Sequence, residues 1–212
     1  MTDCQWGWYI GVEIAGVLAT LLLAVIAIWG PAIKACLLAP KLELFLHDPE
    51  GDRIDMRAAD GTTVPSRWYH LRLTNKRRFA VAHNARVVVT AISRPAADHS
   101  MELQRRSGPI QLVWQHGRLL PQYLTLGPDR ICDLGRLEKD NAFRLELMLV
   151  PNNADPCVRK GEEMWVEVVG QADETETKPL LLSITWDGTW SEDTSDMKKH
   201  LVVKRVDFNQ VL

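Results

Sequence analysis

The pattern of hydrophobic and polar positions divides the chain into two unlike parts. From Trp8 to Trp29 the sequence WYIGVEIAGVLATLLLAVIAIW is apolar almost throughout. These are about 22 residues, ~33 Å as a helix, enough to cross the hydrocarbon core of a bilayer. Trp6, Trp8 and Tyr9 stand at one end of the run and Trp29 at the other, where interfacial aromatic belts sit. Pro31 follows, a residue at which a helix can break. After Pro40 the helical period is lost. KLELFLH (41–47) sets Leu42, Leu44 and Leu46 on one face, the alternation of a half-buried strand.

Eight further strand candidates follow: RWYHLRLT (67–74), ARVVVTAI (85–92), IQLVW (110–114), RICDLGRL (130–137), FRLELMLV (143–150), MWVEVVGQA (164–172), LLLSITW (180–186) and LVVKRV (201–206). Turn-rich stretches such as HDPEGD, AADGTT, LGPD, PNNADP and WDGTW separate them. Nine short strands with no long amphipathic helix between them predict an all-β antiparallel sandwich or barrel. The expected organisation is a transmembrane helix over 1–30, a short amphipathic juxtamembrane linker over 31–40, and a β-sandwich domain over 41–212. The linker, PAIKACLLAP, is bounded by prolines; it reads equally as a surface segment on the membrane or as a helical turn packed on the domain. No internal repeat or low-complexity segment interrupts this layout.

Charge decides whether the helix is kept and how it is oriented. Residues 1–30 contain no Lys or Arg, and their acids are Asp3 and Glu13. A cleaved signal peptide needs a basic n-region, so a retained helix is expected. All 25 basic residues lie from Pro31 onward; two of the 27 acids precede it, leaving 25 in the same stretch. That balance gives the domain no bulk field to draw in nucleic acid, so anion binding would need a local cluster. Lys34, Lys41, Arg53 and Arg57 follow the helix closely. The positive-inside rule therefore puts the N-terminus outside the inner (cell) membrane and the domain in the cytoplasm. There Cys132 and Cys157 stay reduced, and Cys36 is either an acylation site or a plain thiol.

Glu13 is the unusual residue of the span, since an ionised carboxylate in lipid normally faces water, a headgroup or a partner. Helical spacing from it gives Glu13, Gly16, Thr20, Ala24 and Ala27 along one stripe. Small residues on one face permit close helix approach and predict self-association. Gathered copies would make Glu13 a carboxylate ring favouring cations. Simple solvation of Glu13 at the interface, an oligomer seam without a pore, and a pore all fit the pattern.

In the β region, the histidines (47, 70, 83, 99, 116 and 200) show no HExxH motif and no zinc spacing, and no P-loop, GxSxG or Rossmann fingerprint occurs. No catalytic residue, cofactor or metal is expected, and the chain does not read as an enzyme. Asp48, Glu50, Asp52, Asp55 and Asp60 read as a solvated acidic loop. Lys76, Arg77 and Arg78, with His83 and Arg86 nearby, form the best anion-binding candidate. If the first strand and the 67–74 strand are antiparallel, this loop faces the headgroups, where anionic lipids attract it. Arg105 and Arg106 then lie at the opposite end, better placed for a cytosolic anionic ligand. Both clusters also read as solubilising surface. Trp68, Trp114 and Trp165 fall within strands and are expected in the core. Trp190, in DGTWSED, reads as more exposed than these and able to stack on a base or pack on a partner, with core or edge packing as the default reading.

The stretch YHLRLTNKRRFAVAHNARVVVTAI resembles strands B and C of bacterial immunoglobulin-like domains, in which a strand ending in Asn leads through a short loop into an Asn-x-x-Val-x-Val strand. DLGRLEK, FRLELMLV and MWVEVVGQADE are similar to the later strands of such domains, and the resemblance covers most of residues 41–190. The Cys…Trp…Cys signature of antibody domains is absent. The resemblance implies an immunoglobulin-like sandwich and assigns no function. The layout as a whole resembles, by architecture and the Glu13 stripe, the membrane effectors of bacterial phage-defence systems, Hailong-type channels among them. That resemblance implies a homo-oligomer, in its strongest form a cation-conducting channel, gated by a nucleotide, oligonucleotide or protein signal. The rival expectation is an anchored adaptor that recruits a cytosolic partner through its sandwich, with an inert helix.

Overall fold

The computed structural model describes residues 3–57, 60–77, 79–96, 101–105, 109–115, 124–152 and 154–207. It comprises two compact units, Met1–Ala39 and Pro40–Leu212.

The first unit is one helix, α1, from Asp3 to Leu38, 36 residues long. Its Glu13–Gly30 window has a mean hydropathy of 2.1 and is wholly unburied, so the helix is long and apolar enough to cross a membrane. The expected break at Pro31 is absent, and the 31–38 segment continues the helix. A proline removes one N–H, and the residues after it (Ala32, Lys34, Ala35, Leu37 and Leu38) are good helix formers. The stop comes at Leu38, where Pro40 disfavours the α conformation of Ala39.

The second unit is mostly β, in two antiparallel sheets. The first contains β1 (Leu42–Leu46), β2 (Asp52–Arg57), β3 (Thr63–Asn75), β8 (Asp129–Glu138), β9 (Phe143–Leu145) and β10 (Cys157–Val158). Its order is β1-β3-β8-β9-β10, with β2 pairing the start of β3 where β1 pairs its end. The second contains β4 (Ala82–Pro95), β5 (Met101–Arg105), β6 (Ile110–Gln111), β7 (Leu124–Leu126), β11 (Glu162–Gln171), β12 (Leu180–Trp186) and β13 (Leu201–Val206). Its order is β13-β12-β11-β4-β5, with β6 and β7 also on β4. A short helix, α2 (Thr194–His200), joins β12 to β13 and is capped by the Asp193 carboxylate on the Asp196 N–H.

Both sheets contribute to one core. Tyr69, Leu71 and Leu73 of β3 and Leu134 and Leu137 of β8 meet Val87 and Val89 of β4, Val166 and Val168 of β11, and Leu182 and Ile184 of β12. Strand parity decides membership. Arg67, Tyr69, Leu71, Leu73 and Asn75 alternate along β3 and all are buried. Trp68 therefore lies on the other face, half-buried, with the Arg136 guanidinium 5.3 Å from its ring centre. Trp165 is likewise half-buried, its indole N–H donating to Glu163 at 2.6 Å. The expectation of core positions for these two fails, whereas Trp114 is buried. At Gly135 only glycine fits, because a Cβ would sit 2.5 Å from both the Arg144 carbonyl oxygen and the Phe143 ring.

The nine expected runs all fall on strands or isolated bridges, but β2, β5, β7, β10 and α2 come in addition. Most consequential is β2, which runs through the stretch read as an acidic loop. Its side chains are largely exposed, so the run lacks the apolar alternation that marks a strand.

Candidate functional site

The helix stripe lies open. Taken at 3.6 residues per turn, Glu13, Gly16, Thr20, Ala24 and Ala27 fall within an arc of ~80°, and all five are exposed. Among the described residues, setting aside its two chain neighbours and the helix's own backbone, nothing comes within 4 Å of a Cβ built on Gly16. The Thr20 hydroxyl donates to the Gly16 carbonyl at 2.8 Å, satisfying its proton within the helix and leaving its lone pairs outward. Glu13 is then the group on the stripe most in need of a polar neighbour.

The basic cluster forms around the crossing from one sheet to the other. β1 and β3 are antiparallel with Leu42 opposite Asn75, so the end of β3 returns beside Lys41. Asn75 organises the turn that follows. Its amide oxygen accepts the Lys41 and Arg77 N–H groups at 3.2 and 3.1 Å, and its NH2 donates to the Ala80 carbonyl at 2.5 Å. The Lys76 N–H donates to the Lys41 carbonyl at 2.8 Å. An asparagine is needed because one buried side chain must accept and donate at once.

The cations of this region have separate partners. The Lys76 ammonium pairs with Glu43 at 2.6 Å. His83 meets the Glu174 carboxylate, which also accepts the His83 N–H at 3.0 Å. Arg86 donates to the Gln171 side chain at 3.1 Å. Asn84, at φ 51°, donates to Asp173 at 2.7 Å. Asn84, Arg86, Gln171, Ala172 and Asp173 line a shallow cleft of about 270 Å³. Its Arg86 and Asn84 donors face an Asp173 acceptor, a mixed lining that does not single out anions.

Arg78 and Arg106 lie outside the described residues, as do His99 and His116. Arg105 ends β5 opposite Ile92, well along β4 from the Lys76 turn. Trp190 is half-buried against the core, with its indole N–H donating to Glu192 at 3.1 Å.

The acidic residues diverge. Glu50 pairs with Lys198 at 2.8 Å, Asp52 approaches His70 at 3.5 Å, and Asp60 accepts from Thr62 at 2.6 Å. Among the described residues no group of three His, Cys, Asp or Glu can hold a metal ion. Cys132 and Cys157 are free thiols. Burial, with help from the Asp133 charge, pushes the Cys132 thiol well up from its usual range.

Two polar features escaped sequence reading. Arg67 is fully buried, donating to the carbonyls of Gly51 (3.3 Å), Ser191 (3.4 Å) and Glu192 (2.9 Å) and to the Thr194 hydroxyl (3.2 Å). His70 and Asp133 form a buried pair at 3.0 Å. Arg67 shares its parity with Tyr69 and Leu71, which is the signal that marks it as inward-facing. Comparison of the chain with known protein families, curated proteins and solved structures finds no match.

Proposed function

We propose that the protein is a homo-oligomeric, single-pass membrane effector of the inner membrane. Its helices associate along Glu13, Gly16, Thr20, Ala24 and Ala27, and its cytoplasmic, immunoglobulin-like domain responds to a nucleotide, oligonucleotide or protein signal. The observation that carries this reading is the stripe itself: a carboxylate, a glycine, a threonine and two alanines on one face of a helix whose remainder is in large part Leu, Ile and Val. In its strongest form the assembled helices conduct cations past a ring of Glu13, and the domain is the gate. The likeness in layout to phage-defence effectors makes antiviral defence the expected setting.

Ion flux from the full-length protein in liposomes tests it, with Glu13→Gln and Thr20→Leu compared with wild type. Cation-selective flux that both substitutions alter supports the pore. A protein that is silent in liposomes and monomeric in detergent refutes it. The second reading, an anchored adaptor, draws on the Thr20–Gly16 hydrogen bond, which satisfies the Thr20 proton within the helix and leaves Glu13 as the ionisable group of the stripe. In that reading Glu13→Gln leaves recruitment of the cytosolic partner unchanged.

A further inference from the structure

The β3–β4 turn carries the most exposed aromatic side chain of the β unit among the described residues. Phe79 is 71% exposed and Val81, two residues on, 45%. Between them Ala80 is buried, and its N–H donates to the Arg77 carbonyl at 3.0 Å. The turn is therefore a built element, pinned by Ala80 and Asn75, that holds two apolar side chains outward. An exposed phenylalanine forfeits ~2 kcal/mol of burial unless something covers it.

The turn's place in the chain says what covers it. The Asn75 network holds it beside Lys41, and Lys41 is three residues past the last residue of α1, at most ~10 Å of extended chain. Lys41, Lys76 and Arg77 surround it; Lys76 shares its charge with Glu43 but stays about half exposed. Aromatic and aliphatic tips among basic residues, tethered closely to an apolar span, suit the headgroup layer of a bilayer. Helix residues 30–38 rise ~13 Å beyond Trp29 when upright. Because α1 runs through Pro31 unbroken, contact requires the whole helix to tilt, within the roughly 0–40° range of membrane spans, until its 30–38 end lies in the headgroup layer. The other strongly exposed apolar pair, Leu149 and Val150, follows β9 and has no such tether.

We infer that the turn carrying Lys76, Arg77 and Phe79–Val81 contacts the membrane: Phe79 and Val81 enter the headgroup–acyl boundary of the bilayer that α1 spans, and Lys41 and Lys76 face phospholipid phosphates. This rests on α1 being a membrane span and is independent of whether the helices form a pore.

The test replaces Phe79, Ile54 or Leu22, one at a time, by the photoreactive benzoylphenylalanine in the full-length chain. Each protein is reconstituted in phosphatidylcholine–phosphatidylglycerol vesicles, irradiated and analysed by mass spectrometry. Leu22 is the positive control within the span. Ile54 is also exposed, and its register opposite Ser66 puts it nine residues back along β3 from Asn75, ~30 Å away. The expected result is lipid adducts at positions 22 and 79 and none at 54. Adducts at 22 without 79 overturn the contacting turn and leave the span intact; no adduct at 22 removes the span and the inference with it. Adducts at 54 matching those at 79, or cross-links from 79 to a second copy of the chain, also overturn it. Lys76→Gln should lower the yield at 79 about fivefold, the equivalent of one basic residue at an anionic surface. An unchanged yield overturns the role given to Lys76.

Discussion

Arg67→Met removes a buried guanidinium while keeping most of its aliphatic volume, and its cost can be worked from the structure. Four acceptors lose their donor: the carbonyls of Gly51, Ser191 and Glu192 and the Thr194 hydroxyl. The Gly51 bond is buried, whereas the other three are partly buried and can regain water. One full desolvation penalty of ~2 kcal/mol and ~1–2 kcal/mol for the partly exposed bonds follow, against relief from burying a cation. The guanidinium Nε, which is buried with no partner, contributes to that relief. The net cost is ~3 kcal/mol, or a fall of ~6–12 °C in melting temperature for a unit of this size. Near-ultraviolet circular dichroism of the full-length protein in detergent reads the melt. Hydrogen exchange should show the loss concentrated at residues 191–196, where Arg67 ties the start of α2 to β3. A melting temperature within about 2 °C of wild type, or exchange that rises everywhere equally, refutes the reasoning.

Other outcomes follow from the same contacts. His200 hydrogen-bonds Asp187 at 2.7 Å and lies 3.6 Å from Asp196, and the Asp187 bond, with those charges, holds its pKa above the usual imidazole value. Its contribution is fully present below pH ~6.5 and is lost as pH rises through the higher folded-state value. His200→Gln should therefore destabilise the domain at pH 6 and approach wild type at pH 9 in paired thermal melts; an equal deficit at both refutes the charged pair. Cys132, buried with its thiol donating to the Val113 carbonyl at 3.2 Å, should resist iodoacetamide until the domain unfolds, while the half-buried Cys157 reacts in the native state. Mass mapping of alkylated peptides reads both, and rapid native labelling of Cys132 contradicts its burial.

The two-sheet plan was legible because an inward-facing row on a sheet repeats every second residue. Leu42 and Leu44, Tyr69, Leu71 and Leu73, and Val87 and Val89 carry that period openly. Where it is missing, so was the strand: β2 exposes Asp52, Arg53, Ile54 and Asp55 in succession and is held by backbone pairing to β3. The α2 helix spans only Thr194–His200 with one buried residue, Met197, too short for a 3.6-residue period to register. Arg67 and Trp68 show the limit of composition against parity. The arginine is inside and the tryptophan half outside because the alternation through Tyr69 and Leu71 assigns them so. What stabilises Arg67 inside, carbonyls about 125 positions later, leaves no local trace. The helix stripe and the Lys76 turn could be read in advance, since both rest on local order and an antiparallel pairing of β1 with β3. Phe79 could not be singled out, because its exposure depends on how Asn75 and Ala80 set the turn.

The subunit count of the full-length protein in detergent, by light scattering, tests the central claim most directly. Association along the Glu13–Ala27 stripe predicts an oligomer that Gly16→Leu reduces to monomer while the β unit keeps its melting temperature. A wild-type monomer, or an oligomer that Gly16→Leu leaves intact, would contradict it.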